Sequence, residues 1–265
     1  MDIAGYLASI LIGISLGLIG GGGSILTVPV LVYLFGINAV SATAYSLFIV
    51  GTTSAVGSLS YLKKDLVNIK TAVLFGIPSI AAVFLARTYI LPAIPQEIFD
   101  IGSFTITKSI LLMLLFAVLM IAASYKMIIK STNGNENEKQ IKKLNYPVSI
   151  LYGIFVGLVT GLIGAGGGFL IIPALVNLLK IPMKIAVGTS LLIISINSIT
   201  GFLFSLNHSI IDWKFLLLIS AIAILGILIG SFLSSKINGS KLKPAFGWFV
   251  LVMGIYIIFK ETILT

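Results

Sequence analysis

The residues best equipped for chemistry in this sequence are two glycine-rich runs, Gly20, Gly21, Gly22, Gly23 with Ser24, and Gly164, Ala165, Gly166, Gly167 and Gly168. Each run opens a short apolar stretch, Ile25 to Phe35 and Phe169 to Leu179. As a helix, such a stretch starts with unpaired N–H groups and the positive end of its dipole, and glycine lets a ligand approach that backbone closely. The chemistry on offer is anion binding. Neutral donors stand in the same apolar surroundings, namely Ser24, Thr27, Ser46, Thr53, Thr189, Ser190 and Asn197. No Asp, Glu, Lys, Arg or His is expected deep within an apolar segment, so a bound charge should meet neutral groups alone. The two glycine runs together with Ser46, Thr53, Thr189, Ser190 and Asn197 form the candidate substrate-binding set.

Other chemistries fail on context. A serine hydrolase would need a general base within reach, and the only histidine, His208, falls in the outer loop Asn207 to Lys214. Without a second histidine or a deep carboxylate no metal site is expected, and no cofactor is implied. There is no cysteine, which removes thiol catalysis and iron–sulfur clusters. The glycine runs superficially resemble nucleotide-binding loops, but those need a preceding strand, and the phosphate loop a Gly-Lys-Ser/Thr ending. The spaced glycines Gly13/Gly17, Gly153/Gly157/Gly161 and Gly226/Gly230 read instead as helix-packing positions.

The elements that must position the glycine runs belong in lipid. Of 265 residues, 58% are hydrophobic and 9% charged, whereas a soluble domain carries about a quarter charged. A net charge of +9 is explained by basic membrane loops before any polyanion, so no nucleic-acid partner is expected. The start has Asp2 and no basic residue ahead of its apolar run, which reads as a first mature segment. Apolar runs follow at Ala4–Ile19, Ile25–Phe35, Ala39–Leu62, Thr71–Leu91 and Ser109–Ile129, then at Tyr146–Ile163, Phe169–Leu179, Ile185–Leu206, Phe215–Ser235 and Ala245–Phe259. Lys130 to Asn145 is a polar linker. The eleven-residue segments reach about 17 Å as helix, half a hydrocarbon core, so their glycine ends should sit near mid-depth beside a cavity.

Gly17 to Pro29 aligns without gaps on Gly161 to Pro173 with eight identities in thirteen positions, an offset of 144 residues. At that offset Ser46-Leu47 meets Ser190-Leu191, Thr53 meets Asn197, Gly57 meets Gly201 and Lys70 meets Lys214. The chain is thus expected to be an all-α membrane protein of about ten segments in two inverted five-segment repeats, with short broken or re-entrant helices at the glycine turns. Its parts are a first repeat over 1–130, a cytoplasmic linker over 131–145 and a second repeat over 146–265. With the linker inside, thirteen Lys and Arg fall in inner loops against four outside, and both termini should lie outside a plasma or inner membrane. The four include Arg87, assigned to an outer connection, Arg87 to Lys108, that should rest on the membrane surface.

The paired G-L-I-G-x-G-G turns, each followed by Pro and then by Ser-Leu, resemble the TauE/SafE family of sulfite exporters, also called TSUP, over essentially the whole chain. The resemblance implies a polytopic carrier for small anions such as sulfite, sulfoacetate, taurine-derived products or thiosulfate, and it points to Gly20–Ser24 and Gly164–Gly168. Ser24 stands where the second copy has Gly168, and Tyr45 where it has Thr189, so the half-sites need not contact cargo equally. The function expected is secondary transport of a small anion by alternating access, with the bilayer as surroundings and sodium or a proton as possible coupling ion. An anion channel is the alternative; an intramembrane hydrolase is a weaker one. Oligomeric state is not readable.

Overall fold

The computed structural model describes residues 2–101, 104–129, 146–179, 181–206, 211–234 and 239–263. The linker expected over 131–145, and His208, lie outside the described residues.

The first half begins with α1 (Asp2–Ile19), a 3-10 turn (Gly21–Leu26) and the seven-residue α2 (Thr27–Tyr33). Then come α3 (Ala39–Leu62) and α4 (Ile69–Leu85), the latter running on through a π-helical turn (Ala86–Ile90) to Ala93. After α5 (Lys108–Ile129), the second half has α6 (Tyr146–Ile163), α7 (Gly168–Pro173) extended by a π turn (Ala174–Leu178), α8 (Met183–Ser205), α9 (Trp213–Ser234) and α10 (Gly239–Ile263). Among the described residues, five helices are long and apolar enough to cross a membrane: α3, α4 with its extension, α8, and most of α5 and α9. At 24 residues, α3 extends about 36 Å, more than a 30 Å hydrocarbon core.

One departure from all-helical structure lies between α4 and α5. Glu97–Ile101 (β1) and Phe104–Thr107 (β2) pair antiparallel, where aromatic and β-branched residues favour extended backbone. The expected surface connection from Arg87 to Lys108 is corrected accordingly, because the helix continues to Ala93 and both Arg87 and Lys108 are buried.

Helix starts are set by short polar side chains. The Asn38 carboxamide oxygen accepts from Val40 N, that of Asn68 from Thr71 N, and the Asp212 carboxylate from Phe215 N. Each satisfies an N–H that the first helical turn leaves unpaired.

Packing crosses between the halves. α1 lies along α9 and α6 along α4, α3 packs on α8, and α5 packs on α10. The small-residue stripes make this possible: Gly13 abuts Ala223 and Gly226, and Gly157 abuts Ser79 and Ala82, while Gly17 meets Ile227 and Gly230 as Gly161 meets Val83 and Ala86. Every residue in the second member of each pair of contacts is 144 positions away from its partner in the first. Lacking side chains, these glycines let helix backbones touch, which is how apolar helices gain contact in lipid.

The short second segments turn back. Phe35, just past α2, packs against Gly5 and stacks edge-on with Tyr6 at 5.8 Å between ring centroids. Leu179, just past α7, lines a cleft with Val148, Ser149 and Tyr152 of α6. Both pairs are therefore hairpins whose glycine tips reach into the interior.

Candidate functional site

The hairpin tips pass each other inside the bundle. Gly21 lies so close to Gly168 that a Cβ on either would overlap the backbone of the other. Gly164, Gly166 and Gly167 have φ of 76°, 66° and 70°, left-handed values that L side chains avoid. Gly20 sits against Ile172 and Val187, and Gly164 against Thr43, which is 144 positions before Val187. The helices opened by the turns are short, seven residues for α2 and six for α7 before its π turn. Their summed dipoles are correspondingly weak.

A stronger positive charge lies beside the second tip. Arg87, in the π turn of α4, is only 3% exposed. Its Nη1 donates to Thr43 Oγ1 at 3.1 Å, and Thr43 in turn donates to the Val40 carbonyl at 2.7 Å. The same Thr43 backbone is what Gly164 abuts. Arg87 Nε and Nη2 are buried without a hydrogen-bond partner, and no carboxylate pairs with the guanidinium among the described residues. Arg87, four residues inside the end of the apolar run Thr71–Leu91, is thus enclosed by protein rather than set in an outer connection. Phe75, Ser79, Val83 and Arg87 follow one another at intervals of four and all are buried. They form a single inward helix face, and that spacing is the signal that could have found the arginine.

Further buried polar groups have unmet hydrogen-bonding capacity, two of them at the second tip. Thr160 Oγ1, beside Gly167, and Ser198 Oγ, beside Gly166, are buried and unpartnered, as are Thr27, Ser46, Thr53 and Ser54. Asn197 donates from Nδ2 to Ser79 Oγ at 2.7 Å while its Oδ1 accepts nothing. Leaving such groups dry and unpaired costs roughly 1–3 kcal/mol each. Sequence reasoning missed Arg87, Thr43, Thr160 and Ser198.

Some residues of the expected set are already engaged. The Ser24 hydroxyl donates to the Gly21 carbonyl at 2.7 Å, and that of Ser190 to the Val187 carbonyl at 2.8 Å. Thr189 Oγ1 accepts from the Asn68 backbone N–H at 2.9 Å, so it pins a loop. Its counterpart Tyr45 does the same, its hydroxyl accepting from the Asp212 N–H at 2.7 Å; Asn68 and Asp212 are themselves 144 residues apart. Ala165 is buried in the second tip, and Gly22 and Gly23 fall within the 3-10 turn of the first.

The family model described as "Sulfite exporter TauE/SafE" matches residues 6–257. The chain belongs to the TauE/SafE family. Among curated TauE/SafE-like relatives, a "Probable membrane transporter protein" of Xylella fastidiosa (strain 9a5c) is 29% identical over 255 residues, covering 95% of this chain and 92% of that protein. "Probable membrane transporter protein YunE" of Bacillus subtilis (strain 168) is 27% identical, with 92% of each chain covered. "Probable membrane transporter protein MJ0441" of Methanocaldococcus jannaschii is 37% identical over 120 residues, 42% of this chain and 43% of its own. No solved structure matches. This TauE/SafE chain is a membrane transporter, and its relatives are described as transporters rather than enzymes.

Proposed function

We propose that this chain is a secondary carrier of small, sulfur-containing oxyanions such as sulfite, thiosulfate or organosulfonates. It works by alternating access to a site where the two glycine hairpins cross. The observation that carries this reading is the meeting of Gly21 and Gly168 within the bundle, because it joins two re-entrant tips next to Thr160 and Ser198, whose buried hydroxyls lack partners. The exchange of packing at a constant offset of 144 residues supports two equivalent halves. Five segments per half make the second copy enter the membrane inverted, and the thirteen-to-four distribution of basic residues favours a cytoplasmic linker.

The two halves are not identical in packing. A cavity of about 200 Å³ lies between α3 and α9 at the Lys64 end, lined by Ser60, Lys64, Leu228 and Ser231 among others. At the positions 144 residues away, Phe84 and Phe204 stack with centroids 4.9 Å apart and Arg87 is buried. Equivalent positions thus differ between the halves, α3 with α9 leaving a groove where α4 with α8 hold a ring stack.

The test is uptake of labelled sulfite and thiosulfate into proteoliposomes, with and without sodium. A carrier gives saturable uptake stimulated by counterflow. Linear, electrodiffusive current would establish a channel instead, and no flux of any oxyanion would remove the reading.

A further inference from the structure

Arginine does not lose its charge in proteins, and an ionisable residue inside the membrane-spanning region is expensive to keep. The Arg87 π turn packs against α6 and α8, and α3 supplies Thr43, so protein rather than lipid encloses the guanidinium. An arginine that merely braced helices would spend its N–H groups on neighbouring carbonyls. Arg87 spends one nitrogen on Thr43 and leaves Nε and Nη2 bare. Those two share one edge of the guanidinium plane, and their N–H bonds run parallel, the fork that matches two oxygens of a carboxylate or sulfonate. π turns are rare and recur at functional sites, and this one carries the arginine. At the matching position of the other half stands Ser231, so the charge is present once.

We propose that the bare Nε–Nη2 edge of Arg87 is an oxyanion-binding fork, held in register by Thr43 against the Gly164 turn, and that its ligand presents two oxygens on one face. Sulfite, sulfonates and carboxylates qualify, each of two oxygens meeting one N–H bond nearly in line, whereas a halide shares one atom between both bonds and meets them off-axis. The inference rests on the anion-carrier reading and gives it a one-sided centre.

The test uses the purified full-length protein in detergent and in proteoliposomes, as wild type, R87K and R87M. Thermal unfolding is followed against sodium sulfite, sodium methanesulfonate and sodium chloride at constant ionic strength, and counterflow of labelled sulfite is measured alongside. Without anion, R87M should melt at or above the wild-type temperature, because it removes an unpaired buried charge. The oxyanions should stabilise the wild type at concentrations at least about tenfold below chloride. R87K, which keeps charge but not the fork, should need at least about tenfold more oxyanion.

Equal stabilisation of wild type and R87M, or chloride matching sulfite, overturns the fork; surviving flux would then leave the carrier reading intact. Arg87-dependent stabilisation without flux keeps the fork and removes the carrier. Failure of both R87K and R87M to fold makes Arg87 a structural residue and sinks the proposal. Absence of both stabilisation and flux sinks both.

Discussion

At the scale of single residues, the crossing of the hairpins turns on two hydrogen atoms. A methyl group on Gly21 or Gly168 would land in backbone rather than in a yielding side chain, and overpacking of that kind costs about 1–3 kcal/mol. Gly21→Ala and Gly168→Ala should each lower the melting temperature and abolish counterflow. Gly36 supplies the comparison, since its φ is 68° but an added methyl group would meet nothing within 4 Å. Gly36→Ala should cost about 1–2 kcal/mol for its left-handed backbone and leave flux unchanged, and an equal loss in all three variants would show that the crossing has no special role. The glycine runs are readable in the sequence because nothing in helix packing asks for so many small residues in succession. Arg87 is not, although it sits within the apolar run Thr71–Leu91. Counting basic residues by loop assigns it to solvent, whereas the spacing from Phe75 places it on the inward face.

At the scale of elements, apolar runs long enough to span are readable from composition alone. The return of α2 along α1 is not, because periodicity gives no direction after a turn. The β1–β2 hairpin carries its own signals in Ile98, Phe99, Phe104 and Ile106, but the membrane pattern around them hides it. Least readable is the pair of latches in which Tyr45 and Thr189 hold the loops before α9 and α4. A phenol and a hydroxyl look unlike each other in sequence and perform one task in space. Thr189→Val and Tyr45→Phe should each lose about 0.5–1.5 kcal/mol, with faster hydrogen exchange at the amides of Asn68 and Asp212 respectively. Unchanged protection at those amides would mean that the loops are held by something else.

At the scale of the whole molecule, the proposed inverted arrangement predicts opposite sides for the linker and the carboxyl end. Reporters fused after Gln140 and after Thr265 should therefore give cytoplasmic and external readings, and two cytoplasmic readings would defeat it. The crossed packing has a consequence of its own. α1 completes itself on α9 and α4 on α6, so neither half owns a finished interior, and under the proposed two-repeat reading the chain is built like a homodimer sewn into one polypeptide. A true homodimer must carry two copies of every residue, so a guanidinium at its heart would come twice, or not at all. Joining the copies lifts that constraint. It is what allows arginine at 87 opposite serine at 231, and with it a direction for the molecule that strict twofold symmetry forbids.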